Sequence, residues 1–346
     1  MNRSLTLLIA NGVLWTLLLL SCQGPSRTIS PAFYHWKSEF SPDEGERQWL
    51  DSLAVQRLYV RMFDVDVDER AGGIRSIAET RLDPAIWPPG VELVPTVYLT
   101  NRCMQQVSKA AIPIIAKRLV EEIRDRAGEI PFSEVQLDCD WSESSQAAFF
   151  SLCDSVKAHL RSPGIQLSAT IRLHQVKYLD LTGVPPVDRG MLMFYNMGDL
   201  RDSATENSIL DLETAQRYLV NFDRYPLPLD LALPVFGWGV LIREGQPIRL
   251  LNQLETSELA DSSRFSFPHP NRLKVLKSTY LDGVYLYQGD EIRLERSSIS
   301  QISEAVALLE PIWPTQRFHL SLYHLDSHNL SYYSHEQLAE IFDVFR

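Results

Sequence analysis

The chain has 346 residues, 33 Lys and Arg against 44 Asp and Glu, a formal charge of -11 and 45% apolar residues. This balance excludes the disordered, collagen-like and coiled-coil classes. An acidic chain with no Lys/Arg run also argues against non-specific nucleic-acid binding, and four cysteines at this length cannot form a disulfide scaffold.

Residues 1–21 carry one charged side chain, Arg3, ahead of a Leu-rich stretch from Leu5 to Leu20. That stretch is short for a membrane span and long enough for the apolar part of a signal peptide. Leu19-Leu20-Ser21-Cys22 resembles the bacterial lipoprotein cleavage box, which implies cleavage before Cys22 and lipids on its thiol and amine. The chain then divides into a signal peptide (1–21), a Gly/Pro/Ser-rich tether (22–30) and a folded domain (31–346). Gln23 is not the Asp that retains some lipoproteins at the inner membrane. The expectation is a lipid-anchored protein of the bacterial cell envelope, at the outer membrane. Cys103, Cys139 and Cys153 have no metal-ligand spacing and read as buried, inert thiols.

In chain order, Ala32–Trp36 predicts a first strand. Ser41-Pro42-Asp43-Glu44 predicts a capped helix to about Ala54, and Arg57–Val65 a second strand. Residues 66–90 read as a loop or small hairpin. Glu92–Leu99 is the third strand, Lys109–Ala127 a helix stopped at Gly128, and Glu134–Trp141 the fourth strand. Ser142 caps a helix from Glu143 to about Arg161. Ile165–Leu173 and Gly190–Met197 are strands five and six, with a short helix near Val176 between them. Leu212–Asn221 is helical and Leu229–Trp238 is strand seven. Residues 240–296 break the alternation and read as an inserted antiparallel β region. Ser298–Leu309 is a helix, Phe318–His324 strand eight, and Ser334–Phe345 a last helix. Eight strands alternating with helices predict an α/β chain folded as a (β/α)8 TIM barrel, with the β-rich insertion between strands seven and eight. An open doubly wound sheet would need a Gly-rich phosphate loop after an early strand, and none is present.

A barrel strand turns one face to the helices and the other to the lumen. On strand four Leu137, Cys139 and Trp141 form the apolar face, leaving Gln136, Asp138 and Asp140 inward. On strand five Ser168, Thr170 and Arg172 point inward and His174 follows. Strand two places Tyr59, Arg61 and Phe63 inward; strand six places Met191, Met193 and Tyr195 there, with Asn196 at the rim. Charges in a lumen must be paired or open to a wet cleft. Either Asp138 pairs with Arg172 or Arg61 as structure, or the carboxylates serve function. Asp140 stands nearer the C-terminal strand ends, where barrel active sites sit. Asp138 and Asp140 at i and i+2 lie about 6.5–7 Å apart along a strand and disfavour each other's ionisation.

These strand ends resemble the chitinase-like barrels of glycoside hydrolase family 18. Asp138-Cys139-Asp140-Trp141 is similar to the Asp-x-Asp core of that family, and Met193-Phe194-Tyr195-Asn196 to its Met-x-Tyr-Asp/Asn run. Leu167-Ser168-Ala169 and Leu233-Pro234-Val235-Phe236-Gly237 resemble it more weakly. The chain is also similar to bacterial lipoproteins with a glycosidase-like barrel. The resemblance implies that Asp140 orients an N-acetyl group and Tyr195 bonds its carbonyl, the acetamide oxygen serving as nucleophile. Set against the signature Asp-x-x-Asp-x-Asp-x-Glu, the first Asp position holds Val135 and the Glu position Ser142, with Glu143 one residue later. Glu143 is then either a displaced proton donor or an acidic residue at a helix start.

His35, His174, Tyr98 and Trp238 are further candidates for contacts with sugar. Trp36 and Trp141 also end strands, Trp141 with outward parity. His319, His324 and His328 suit no metal motif. Asp64, Asp66 and Asp68 lack the glycine and terminal Glu of a calcium loop and read as a solvated acidic loop. No cofactor or metal is expected. The function classes that remain are a glycoside hydrolase of the envelope, a lipoprotein that binds glycan or polysaccharide without cleaving it, and an envelope protein without ligand.

Overall fold

The structure is a computed structural model and describes residues 27–345 apart from 71, 72, 162, 163, 203, 253 and 255. Cys22 and the expected signal peptide lie outside the described residues. Eight parallel strands close a barrel: β1 (Thr28–His35), β2 (Arg57–Val67), β3 (Glu92–Leu99), β4 (Glu134–Asp138), β5 (Gln166–Arg172), β6 (Arg189–Met193), β7 (Leu229–Pro234) and β8 (Arg317–Tyr323). β1 pairs with both β2 and β8, so no edge is left open. β1 begins at Thr28, inside the stretch read as tether.

Local chemistry fixes the helices between the strands. Asp43, not Ser41, is the N-cap of Glu44–Ser52, and it forms a capping box with Glu46. Ser298 with Gln301, and Ser334 with Gln337, cap the last two long helices in the same way. Several barrel strands end earlier than alternation suggests. β4 stops at Asp138, β6 at Met193 and β7 at Pro234. The helix after β4 starts at Gln146 rather than Glu143: residues 142–145 form a turn closed by the Ser145 N–H on the Ser142 carbonyl, and the Ser145 hydroxyl donates to Asn101 instead of capping the helix.

The insertion is a five-stranded antiparallel sheet, whose first strand (Gly237–Arg243) pairs with its last (Glu291–Arg296), and a separate hairpin of Thr279–Leu281 with Val284–Leu286. The chain therefore leaves and re-enters the barrel at one place. Leu241, Leu251, Leu273, Leu286 and Ile292 give this insertion a core of its own. At the exit a Cβ on Gly237 would meet the Glu295 carbonyl oxygen at 2.8 Å, so only glycine fits there. Among the described residues no helix is long and apolar enough to cross a membrane.

The lumen has two polar tiers. Near the N-terminal strand ends Arg57 pairs with Glu134 and Glu92, each at 2.6 Å, and Arg189 pairs with Asp230 at 2.8 Å. Ser168 donates to Glu134 at 2.5 Å, and the His319 backbone N–H donates to Asp230 at 2.7 Å. Glu134 and Asp230 are buried, and this tier closes the barrel floor. The second tier, at the C-terminal ends, is open.

Candidate functional site

A cleft of about 610 Å3 occupies the C-terminal mouth of the barrel, between the strand ends and the insertion. Its polar wall follows one row of the sheet, because Asp64 of β2 stands beside Tyr98 of β3, and Tyr98 beside Asp138 of β4. Asp64 reaches this row through a bulge. The register of β2 against β3 shifts between Arg61 and Phe63, so the side chains beyond it change face. The expectation that Phe63 points inward is thereby corrected: its ring lies under Arg126 of the outer helices, at 5.5 Å. The acidic-loop reading is corrected for Asp64 and Asp66, while Asp68 follows the strand end. Asp64 and Asp66 belong to β2, and Asp66 is tied to Arg102 at 2.5 Å.

Asp138 ends β4 almost buried. It accepts from the Thr170 hydroxyl at 2.6 Å and from Arg172 Nη2 at 3.1 Å. Arg172 and Tyr195 line the cleft with it, and the Tyr195 hydroxyl donates to Met193 Sδ at 3.1 Å. Burial holds the Tyr195 phenol well above its ordinary pKa, so it stays a hydrogen-bond donor. Tyr34 lies beneath and donates to Gln136 at 2.5 Å.

The rest of the wall is aromatic and meets the polar part at Tyr195, whose ring stands 5.1 Å from that of Tyr323. Trp36 stands 5.8 Å from Tyr323, Tyr323 5.6 Å from Phe236, and Phe236 5.2 Å from Trp238, centroid to centroid. The cleft's carboxylates each have a cation: Asp138 has Arg172, Asp64 has Arg61 at 3.2 Å, and Asp326 has Lys37 at 2.9 Å. Burial raises the Asp64 carboxyl, with Arg61 opposing the shift and Asp138 adding to it. His324, also in the cleft, is pushed down to about 4 by burial and is neutral at pH 7.

The sequence-derived site residues divide. Asp138, Arg172, Tyr195, Asn196, Tyr98 and Trp238 meet in the cleft. Asp140 does not line it. Its half-exposed carboxylate lies 3.5 Å from His174 Nε2, and the two share an adjoining recess of about 190 Å3 with Arg172, Tyr195 and Asn196. Glu143 is exposed on the turn before the helix, clear of the cleft. Ser142 is held away as well, accepting from the Asn101 amide at 3.3 Å. His35 is buried behind β1, edge-on to Phe40 at 4.9 Å. It alternates with Tyr34 and Trp36 and so faces away from the lumen. Trp141 packs on Phe149 and donates to the Thr182 carbonyl, as its parity implies. Cys103, Cys139 and Cys153 are free and buried.

Asp64, Phe236 and Tyr323 are cleft residues that sequence reasoning missed. Tyr323 had a signal, since His319, Ser321 and Tyr323 alternate with Leu320 and Leu322. The bulge hid Asp64.

No family model matches the chain, and no curated relative matches it in sequence. Solved structures do match in fold. A class V chitinase from Pseudomonas fluorescens superposes with TM-score 0.58 at 14% identity, covering 91% of this chain and 99% of its own. A spore cortex-lytic enzyme from Bacillus cereus gives 0.55 at 13%, covering 92% of this chain and 75% of its own. The second catalytic domain of a Group II chitinase from Ostrinia furnacalis, solved with penta-N-acetylchitooctaose, gives 0.54 at 12%, covering 91% and 95%. The chain thus has a divergent form of the chitinase-like barrel fold.

Proposed function

We propose that the protein acts on a glycan bound in the barrel mouth, as a glycoside hydrolase-like enzyme. The observation that carries this reading is the two-sided cleft: hydrogen-bonding Asp138 and Arg172 stand across from an aromatic wall running from Trp36 to Trp238, and Tyr195, 5.1 Å from Tyr323, joins the two. A sugar ring needs both, an apolar face for stacking and polar partners for its hydroxyls. The paired charges favour an uncharged sugar, and the chitinase-like fold makes an N-acetylated one the first candidate.

Barrel geometry supports setting the family signature two residues earlier than the sequence alone suggested. Gln136 and Asp138 then occupy two of its acidic positions on the lumen side of β4, and Asp140, two residues past the end of that strand, takes the Glu position. Ser142 lies further along, among its hydrogen bonds to the helix Asn101–Gln106. In that register Asp140 is the proton donor, one methylene shorter than Glu, and Asp138 with Tyr195 orients the acetamide that attacks. Asp140 must turn from His174 toward the cleft to do this. Its outward position favours a second reading, glycan binding without cleavage. Anchoring through Cys22 at the outer membrane belongs to the proposal on sequence grounds.

Oligomers of N-acetylglucosamine, two to six residues long, test both readings by calorimetry and product chromatography. Binding with cleavage that Asp140→Asn abolishes supports the enzyme. Binding without cleavage supports the second reading, and a wild type that does neither rejects both.

A further inference from the structure

The insertion reaches the cleft through Trp238 and Asn252, and of these only Trp238 offers a ring. Trp238 is the second residue of the insertion's first strand; it lines the cleft and also an apolar cavity of about 370 Å3 behind it. Directly opposite in the sheet stands Glu295, on the insertion's last strand. The Trp238 indole N–H donates to Glu295 Oε2 at 2.9 Å. The same oxygen accepts the Ser208 backbone N–H at 2.9 Å and the Ser208 hydroxyl. Glu295 Oε1 accepts Arg293 Nε at 2.5 Å, and both of these side chains are 0% exposed.

A carboxylate withdrawn this completely from water persists only where donors fill it. Here the donors come from the insertion's first and last strands, which pair with each other, and from the loop after β6, and one of them is a ring that faces the cleft. A charged acceptor makes the indole bond stronger than a neutral one would. A ring already fixed loses no rotamer freedom when a ligand stacks on it.

We propose that Glu295 is a positioning residue for the cleft. By fixing the indole edge of Trp238 it holds that ring as the outermost stacking face, so the insertion sets affinity for glycans long enough to reach it. This rests on the glycan reading above.

Three variants and the N-acetylglucosamine oligomers test it. Trp238→Ala removes the ring. Trp238→Phe keeps an aromatic face, removes the N–H, and leaves Glu295 with Ser208 and Arg293. Glu295→Gln combined with Arg293→Met removes both buried charges together, so neither is left unpaired. For five- and six-residue oligomers the expected loss is about tenfold in Trp238→Ala, or about 1.4 kcal/mol. Trp238→Phe should lose most of that, with a larger loss for the five- and six-residue oligomers than for the dimer. The double variant should lose about three- to tenfold, and its Trp238 indole N–H, assigned by its absence in Trp238→Phe, should exchange with solvent at least about tenfold faster. Should the double variant fail to fold, Trp238→Phe decides alone. Wild-type affinity for long oligomers in Trp238→Phe would overturn the proposal, as would a wild-type indole N–H with no protection from exchange. If wild type binds no oligomer, the sugar-facing role fails with the glycan reading, and exchange still shows whether Glu295 holds the ring.

Discussion

Asp138 and Asp140 stand two residues apart, yet the structure gives them opposite physical characters, and replacing each by Asn should separate them. Asp138 is 5% exposed and tied to Thr170 and to Arg172, whose side chain is 22% exposed. Asn at 138 keeps the Thr170 hydrogen bond and leaves the guanidinium without its counter-charge. Breaking a fully buried pair costs about 3–5 kcal/mol. Arg172 opens onto the cleft, where water restores part of that, so about 2–3 kcal/mol is expected. In the double variant Asp138→Asn/Arg172→Met much of the loss should return, giving a coupling energy of about 1–2 kcal/mol. Asp140, with a side chain 55% exposed and His174 at 3.5 Å, has the character of a surface pair. Asn there should change stability by less than about 0.5 kcal/mol. On oligomer cleavage or binding both single variants should fall at least about tenfold. Urea melts beside the glycan assay supply the numbers. Equal destabilisation by the two substitutions, or an Asp138→Asn protein as stable as wild type, would refute the tiered account of the lumen.

Acid should unfold the protein partly through two histidines. Burial pushes His35 down to about 3 and His324 to about 4, with Lys37 nearby adding to the shift and Asp326 opposing it. Both are neutral in the fold, so their stability is fully present above the ordinary value near 6.5 and is lost as pH falls, toward about 4 for His324 and about 3 for His35, at about 1.4 kcal/mol per pH unit for each proton taken up. His324→Asn should flatten the stability profile from pH 6 to 4 by about one proton; an unchanged slope contradicts the assignment. Glu143→Gln should leave turnover unchanged and stability within about 0.5 kcal/mol, because the side chain is exposed and clear of the cleft; a hundredfold loss of turnover would restore it as the acid. Cys22→Ser should leave an uncleaved or soluble protein in which residues 31–346 still fold, and an unmodified Cys22 in the mature wild-type chain, read by mass spectrometry, would exclude the anchor.

Alternation along a strand makes the polar wall legible in the sequence itself. Gln136 and Asp138 on β4, and Ser168, Thr170 and Arg172 on β5, face the lumen because their apolar neighbours at odd offsets face the helices. Alternation fails where the chain departs from a simple strand. One extra residue near Met62 exchanges Phe63 for Asp64, and an apolar residue at the bulge leaves no mark in the pattern. At the end of β4 the parity of Asp140 still points to the rim, but nothing local says that the strand has stopped and the carboxylate has turned to His174. Three serines within four residues, 142, 144 and 145, each suit a helix cap, but tertiary contacts with Asn101 take up the Ser142 and Ser145 hydroxyls and the helix starts uncapped at Gln146.

The pair Arg293 and Glu295 is the deeper case. Two opposite charges at i and i+2 in a hairpin read as a solvated face, and a solvated face is what local sequence supports. Their burial depends on Ser208 and the Asp202 carbonyl, some 90 residues earlier, and on Trp238 across the sheet. The two lumen tiers make the same point. Arg57 with Glu134 and Arg172 with Asp138 both join an arginine to a carboxylate on the strands of one barrel wall. One pair seals the barrel floor and the other faces the cleft. The difference is depth: β2, β4 and β5 run from a crowded N-terminal end toward a mouth that Gly237 and the insertion hold beside open space. Whether an arginine–carboxylate pair serves packing or a ligand is decided there by the closure of the whole barrel.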